Sequence, residues 1–588
     1  MSGHVSDVRG STEITVEPGL QQRLVMAPDT DVSIVTDASL IAPFKEAEKC
    51  SQAPSEKNDQ PSSVPSCPTI DDDGHVATED EVRNLLNVVD QIPTRLWVAC
   101  LAGILERFVW YGATAPLQNY LQNPPGGEVP GALGLGQASA SNIVNALIIG
   151  SYITPVPAAA VVVVGLVVTR PCSTLLCASI ESIGATILFA TSLPVAINGG
   201  VALGGVIPAC ILLAVGSGAF KTTVVPFIAD QYEQTEPRIY TKKTGEKVVT
   251  SRELTITYIY NTFYWAVNVV GFFADSTPLL EKYVGFWVAY LIPCCCMWLA
   301  LIPILLGRNY FVRESPTGNI MPDVVSALRY GITGGFQMDA AKPDVQLQHG
   351  RQVTWTDSFI EDIKRSLLTC RVLLLFPIHW LCYNQTFNNL ISQAGQMVTY
   401  GIPNDMIKIA GAISGIVVAP IIQKGLYPFL TKKQISFSPI ARMSVGFAVL
   451  TLSMVYATIV QKLVYQAGPC YDTPLACPAA LNRTVPNQIS VFLQIPIYFG
   501  GALAEVLCLT TGTEYAYNHA PKRMKTLVQS IWLAMAGLGS CLALAFTPLT
   551  MDPHLVTMYA ILSGLLGGAT ILLWVLFRNV DKVKDESE

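Results

Sequence analysis

Charge is scarce in this chain. Of its 588 residues only 14% are Asp, Glu, Lys or Arg, where a soluble chain carries about a quarter. So few charges cannot cover a water-facing surface of this size, which excludes an ordinary soluble fold. Basic stripes are missing too, and the formal net charge is -6. No nucleic-acid partner is therefore expected. No CxxC pair meets a second pair at metal-ligand spacing. Cys294, Cys295 and Cys296 sit together in an apolar run, where cysteine packs as a small hydrophobe. The histidines are scattered, at His4, His75, His349, His379, His519 and His554. No nucleophile–base pair or phosphate-binding glycine loop is present. No enzyme, metal or cofactor is expected.

Apolar length is what the chain has instead: 51% of its residues are hydrophobic. Crossing the ~30 Å hydrocarbon core takes roughly 20 apolar residues as a helix, and only helices or closed barrels satisfy their backbone there. The apolar runs are long and do not alternate, so helices are predicted and a barrel is not. About twelve spans are predicted. Six lie near 96–121, 143–168, 172–197, 204–228, 255–273 and 284–306. Six more lie near 372–397, 409–430, 441–464, 489–511, 527–549 and 555–577.

The ends and the middle complete the plan. Residues 1–85 lack an apolar run and are rich in Ser, Asp, Pro and Thr, which predicts a disordered cytosolic tail. This is not the pattern of a signal peptide, so the first membrane helix is expected to do the targeting. Six-helix bundles are predicted over 86–306 and 371–578, with a linker over 307–370 and a cytosolic tail over 579–588. Within the linker, Trp355, Phe359, Ile363 and Leu367 recur at helical spacing and predict an amphipathic helix at the cytosolic surface.

Loop charge gives the orientation. With both termini cytosolic, the inner loops carry Arg170, Arg238, Lys247, Arg252, Arg308, Lys364, Arg365, Lys432, Lys433, Lys522 and Arg523. The outer loops carry few cations, the exceptions being Lys282, Lys408, Lys462 and Arg483. This asymmetry follows the positive-inside rule and supports an even number of spans. The outer loop 465–488 holds Cys470 and Cys477, a candidate disulfide, and Asn482-Arg483-Thr484, a candidate glycosylation sequon.

Ionisable residues at bilayer depth are costly, so each marks a candidate transport path. Glu106 with Arg107, Glu181, Lys221 and Glu505 are the candidates. Each also has a purely structural reading. Glu106–Arg107 can be a fixed ion pair, Lys221 a lysine reaching for the interface, and Glu181 a capped structural carboxyl. Glu505 can be a hydrogen-bonded packing residue. Read together, they suit a zwitterion. Arg107 and Lys221 would hold a carboxylate and Glu505 an amine, from different halves of the chain. The charges by themselves do not separate a peptide from another zwitterion or an organic anion.

Several segments then resemble one family. Glu106-Arg107-Phe108-Val109-Trp110-Tyr111-Gly112 resembles the first-helix signature of the proton-dependent oligopeptide transporters of the major facilitator superfamily, in their fungal branch. Phe220-Lys221 through Ala229-Asp230-Gln231 resembles the fourth-helix motif, and Phe263-Tyr264-Trp265-Ala266-Val267-Asn268 the fifth. Asp339-Ala340-Ala341-Lys342-Pro343 is similar to a central-loop feature of fungal members. Trp380-Leu381-Cys382-Tyr383-Asn384-Gln385 resembles the seventh helix. Glu505 through Tyr517, then Ala520-Pro521-Lys522-Arg523-Met524-Lys525, resembles the tenth. The resemblance runs from about Asn87 to Val580.

The resemblance implies an all-α membrane protein with the major facilitator fold, two six-helix bundles and twelve transmembrane helices. It implies proton-coupled symport of di- and tripeptides across the plasma membrane by a monomer in the lipid bilayer. Arg107 and Lys221 would lie near the peptide carboxylate, with Glu106 and Lys221 coupling protonation to it. Tyr111, Tyr152, Tyr264 and Asn268 would line the pocket, Trp380, Asn384 and Gln385 would shape the second-half wall, and Glu505 would face the amine.

The chain also departs from the family. Gly103 stands where an acid is usual, so Glu106 alone, or with Glu181, is expected to serve the proton, and the cavity is expected to admit a carboxylate at 103. Residues 158–163 replace an Asp-bearing loop motif, and Val270-Gly271 replace a Gly-Ser pair. Asn384 stands in place of an acid found in bacterial members, and Gly411 in place of a common polar residue. Two other functions fit these departures: transport of a specialised small molecule, or a non-transporting nutrient sensor whose tail signals.

Overall fold

The computed structural model describes residues 75–579, except 79–80, 83–84, 156, 159–169, 235, 242–246, 313–320, 434–436, 482 and 522–523. The described residues are mainly helical. The first half contributes α1 (Thr94–Thr114), α2 (Gln137–Ile153), α3 (Arg170–Thr191), α4 (Ala202–Asp230), α5 (Arg252–Ala274) and α6 (Phe286–Gly307). The linker contributes α7 (Met321–Thr333) and α8 (Asp357–Leu373). The second half follows with α9 (Phe376–Tyr383), α10 (Asn389–Gly395), α11 (Ile409–Pro420), α12 (Pro439–Gln466) and α13 (Ile495–Ala504). It ends with α14 (Thr510–Asn518), α15 (Lys525–Ala545) and α16 (Leu555–Phe577).

Among the described residues 8 helices are long and apolar enough to cross a membrane, or 9 if the bent pair Asp357–Leu373 and Phe376–Gly395 counts as one span. The expected spans that fall short have visible reasons. The end of span 143–168 lies largely outside the described residues. α5 begins Arg-Glu and carries Thr, Tyr and Asn along its length. α11 passes through a π-helical turn, Ile421–Leu426, into the helix Tyr427–Lys432. Span 372–397 is not one helix. It breaks at Asn384–Phe387, and the Asn388 side chain accepts from the Asn389 amide to start α10. A side-chain acceptor at that position replaces the missing carbonyl of a preceding turn.

Apolar burial divides along the sequence. One core joins residues from Cys370 to Leu573, and two others lie between Leu96 and Phe311. α3 packs on α4 and α6 on α1, while α12 packs on α16. Across the halves, α2 packs on α15.

The linker has a small core of its own. Phe359, Ile360 and Ile363 face Val324, Ala327 and Ala341, and Met524 joins them. Trp355 lies before α8, stacks on Phe359 and donates Nε1–H to the Ala341 carbonyl at 2.9 Å. The amphipathic helix is present, but its apolar face covers the linker. Leu367 is left exposed.

Two small sheets were not legible in the sequence. β1 (His75–Val76), β2 (Leu86–Val88), β3 (Arg238–Thr241) and β4 (Lys247–Thr250) form a sheet in the order β1-β3-β4-β2. The disordered tail predicted over 1–85 therefore ends too late. His75 and Val76 pair with Ile239 and Arg238, which satisfies backbone groups that composition could not account for. The rest of that predicted tail, residues 1–74, lies outside the described residues, as does 580–588 at the other end. β5 (Met397–Val398) pairs in parallel with β6 (Asn487–Ser490). β6 follows the loop closed by the Cys470–Cys477 disulfide. Asn482, the candidate glycosylation site, lies outside the described residues.

Candidate functional site

The site begins on α1. Glu106 is 1% exposed and fully engaged. Arg107 donates Nε–H to Glu106 Oε2 at 2.5 Å, and a second guanidinium nitrogen donates to Oε1. Ser217 of α4 donates to the same Oε1 at 2.8 Å and accepts from Arg107 at 3.1 Å. The ion pair thus ties α1 to α4.

Lys221 lies one turn further along α4. Its Nζ is buried and has no hydrogen-bond partner among the described residues. It sits 4.6 Å from the Trp110 ring centroid and 4.4 Å from that of Tyr152. Two aromatic faces attract a cation by their quadrupoles. The ammonium is caged inside the bundle, so this is not a lysine reaching for the interface.

The opposing acid is Glu505. It opens a π-helical turn, Glu505–Leu509, between α13 and α14. Such a turn re-aims side chains within a helix and recurs at functional sites. The Tyr383 hydroxyl of α9 donates to Glu505 Oε2 at 2.7 Å. Glu505 is solvent-exposed, and so is Tyr264, at 53%.

Electrostatics show which side chains share the space. Tyr111 lies in the fields of Arg107, Tyr152, Glu505 and Tyr264. Tyr383 lies in those of Glu505, Tyr111 and Tyr152. Tyr152 also meets Trp380 across the halves, with ring centroids 5.9 Å apart. Gly271 gives Tyr111 room, since a Cβ there would lie 3.3 Å from its ring. The structure therefore brings Arg107, Tyr111, Tyr152, Lys221, Tyr264, Trp380 and Glu505 near one another, with Tyr264 and Glu505 exposed.

Other predicted residues are placed differently. Asn268 donates to the Tyr264 carbonyl at 2.9 Å on its own helix. Asn384 is 2% exposed and donates to Ser540 at 2.8 Å. Gln385 is also 2% exposed and accepts from Asn389 at 2.7 Å. Asn384 and Gln385 hold the second half together.

Gly103 is closed. A Cβ there would lie 2.8 Å from the Phe263 ring and 2.9 Å from Val224. The expected room for a carboxylate at 103 is absent, because an aromatic side chain occupies it. Glu181 of α3 packs against Gly216 of α4, where any Cβ would come within 2.7 Å of it. Its carboxyl is fully buried without a hydrogen-bond partner and feels Glu106, Arg107 and Lys221. It is not a capped structural carboxyl.

A polar seam closes the halves at the end bearing the disulfide. Asn119 and Asn404 exchange amide hydrogen bonds at 2.8 and 2.9 Å. Gln118 donates to Ser392 at 3.3 Å, and Ser141 to Asn389 at 3.1 Å. Lys408, an exception in the loop-charge pattern, forms an ion pair with Asp275 at 2.9 Å. Arg483, another exception, donates to Asn123 at 3.1 Å. These cations serve the seam, which is why they depart from the loop rule.

Comparison with known proteins decides the family. Residues 173–562 match the sequence model of the POT family. Peptide transporter PTR_A of Candidozyma auris is 34% identical over 517 residues, covering 88% of this chain and 87% of its own. The probable peptide transporter ptr2 of Schizosaccharomyces pombe is 35% identical, covering 87% of this chain and 82% of its own. The crystal structure of the POT family transporter PepTSo superposes with a TM-score of 0.65 at 20% identity, over 84% of this chain and 99% of that one.

The chain belongs to the POT family. Its fold is accordingly the major facilitator fold of twelve membrane helices, with α2, α5, the bent α8–α10 region and the interrupted α11 accounting for the spans that length and composition miss. Within this POT protein, Tyr383 is the pocket residue that sequence reasoning passed over. It stood inside the quoted Trp380–Gln385 segment, but only the fold shows that it reaches Glu505.

Proposed function

We propose that this protein is a proton-coupled symporter that carries di- and tripeptides into the cell. The linker end would face the cytosol with both termini, and the disulfide end the exterior, in the plasma membrane. The protein would act as a monomer.

One observation carries the reading. A cation with no hydrogen-bond partner among the described residues, Lys221, and an exposed acid, Glu505, flank a cluster of tyrosines from opposite halves. A peptide zwitterion presents the complementary pair. Its carboxylate would meet Lys221 and Arg107, and its amine Glu505. Tyrosine hydroxyls offer both donors and acceptors to the amide between. A substrate bridging both halves favours closure around itself, as alternating access requires.

Coupling would run through Glu106. A bound carboxylate competes with Glu106 for Arg107, so substrate and proton would help each other bind. The test is labelled dipeptide uptake in yeast lacking its own peptide transport, with and without a protonophore. Uptake that the protonophore abolishes is expected. Uptake that ignores it would mark a facilitator, and no uptake would refute the peptide reading. The filled space at Gly103 favours one second reading, a relative adapted to a specialised small molecule. Phe263 packs there against α1, where the family usually carries an acid.

A further inference from the structure

Two acids in the seam serve no part of this scheme. Glu281 lies in the short helix Thr277–Tyr283 of the first half, and Asp405 in the 3-10 turn Asn404–Lys408 of the second. Glu281 is 3% exposed and Asp405 0%. Their carboxyls lie within hydrogen-bond reach of each other. Asn119 donates to Glu281 Oε1 at 3.0 Å. Among the described residues no other side chain donates to Glu281 Oε2 or to either Asp405 oxygen. The remaining polar groups facing the pair are few. Lys408 and Asp275 bond each other at 2.9 Å, and the phenols of Tyr290 and Tyr498 stand nearby.

Two bare carboxylates cannot stay in such a contact. Like charges this close repel even in a well-screened protein environment, and both side chains are buried. A single proton removes the conflict by turning one acid into a donor to the other. We infer that Glu281 and Asp405 form a proton-binding site that must be occupied for the two halves to close at the disulfide end. The inference rests on reading the chain as an alternating-access carrier with that end outside.

The proton balance is simple. With the seam open, both acids are hydrated and ionised. On closure one proton passes from outside water to the Glu281 carboxylate, and the new O–H donates to Asp405. On reopening, that hydrogen bond breaks and the proton returns to the same water. The proton is bound and released on one side, so it is distinct from any proton carried with substrate. A polar cavity of about 190 Å³ lined in part by Asn119, Asn404 and Asp552 lies beside the site and gives water a route to it.

The electrostatics agree in sign. Burial, then the neighbouring acid, hold Glu281 well above the usual carboxylate range. Burial likewise pushes Asp405 up to about 6. Open and hydrated, both return to about 4. The closed seam therefore binds protons more tightly. Its stabilisation by the shared proton is complete below about pH 4 and is lost as pH rises through the raised range of the closed pair. Acid outside closes the gate.

The test reads the seam itself. Ser392 is 3% exposed, between the halves and against Gln118. In intact cells carrying Ser392→Cys, a membrane-impermeant maleimide is expected to label that position faster as the outer face opens, since the side chain lines the polar cavity but is 3% exposed in the closed seam. Labelling of that peptide is measured by mass spectrometry at about pH 5.5 and about pH 7.5, both above the ordinary carboxylate value, where the open seam is ionised and the closed seam still draws a proton. Adding Glu281→Gln supplies a permanent donor of the same size. Comparing the two backgrounds at one pH cancels the thiol's own reactivity.

The ratio of labelling without Glu281→Gln to labelling with it is expected to rise with pH, by up to about tenfold per pH unit for one proton. Asp405→Asn in place of Glu281→Gln is expected to act in the same direction, which guards against a local folding defect in either variant. A ratio that stays constant with both variants overturns the inference. Dipeptide counterflow is measured in parallel. Its absence would refute the peptide reading, while the labelling, which needs no substrate, still decides the proton site.

Discussion

In the central pocket Glu106 is bonded by Arg107 and Ser217, whereas in the seam Glu281 is bonded by one amide and faces a second acid. Lys221 shows the complementary contrast with Lys408. The pocket lysine has aromatic faces and no anion, and the seam lysine has Asp275 at 2.9 Å. Where a charge already has its counter-ion, it holds helices together. Where the counter-ion is missing or has the wrong sign, something from outside the chain must complete the site. By that logic the pocket waits for a substrate carboxylate and the seam for a proton.

The strongest way to break the comparison is to remove the unpaired cation. Lys221→Ala is expected to reduce dipeptide uptake to background, with the protein still present in the membrane by immunoblot. Normal uptake would mean that the caged ammonium only packs.

Next comes the paired cation. Lys408→Gln leaves Asp275 buried without its partner, and breaking a largely buried pair costs about 3–5 kcal/mol. The cost falls on the closed seam. Ser392→Cys labelling from outside should therefore increase at every pH, while a dipeptide's affinity changes little. Unchanged labelling would show that the amide bonds alone hold the halves.

Glu505→Gln keeps size and removes the charge. Loss of one charged hydrogen bond is worth about 1.5–3 kcal/mol, read as competition for uptake by free-amine peptides. N-acetylated analogues should lose much less. Equal losses would place the amine elsewhere.

The smallest effect is expected at Gly103. Gly103→Ala drives a methyl into Phe263 and Val224, and overpacking of this kind costs about 1–3 kcal/mol. The detergent-solubilised protein should melt earlier, and Phe263→Leu in the same chain should restore much of the loss. A melting temperature unchanged by Gly103→Ala would show that the ring yields freely.

Much of this was legible before any coordinates. The long apolar runs predicted membrane helices, and the sparse ionisable residues within them pointed to Arg107, Lys221 and Glu505. What failed to show had a common cause. Tyr383 and Glu505 are 122 residues apart and meet at 2.7 Å only because α9 and the π-helical turn face each other. Glu281 and Asp405 sit in what reads as loop, where an acid draws no attention. Asn384 and Gln385 stand in a segment that resembles the family, yet the break after α9 turns them into the second half's interior.

By itself the sequence determined the solvent. Too few charges and too many apolar runs leave a lipid bilayer as the medium in which these helices satisfy both backbone and side chains. It also determined which rare charges had to earn their place there. Only the tertiary structure decided what each of those charges does, because a charge acts through its neighbours, and the neighbours come from other helices. Ser217 engages Glu106, Trp110 and Tyr152 cage Lys221, and Phe263 fills the space beside Gly103. Asp405 meets Glu281 from 124 residues away in sequence, a neighbour that no local pattern could supply.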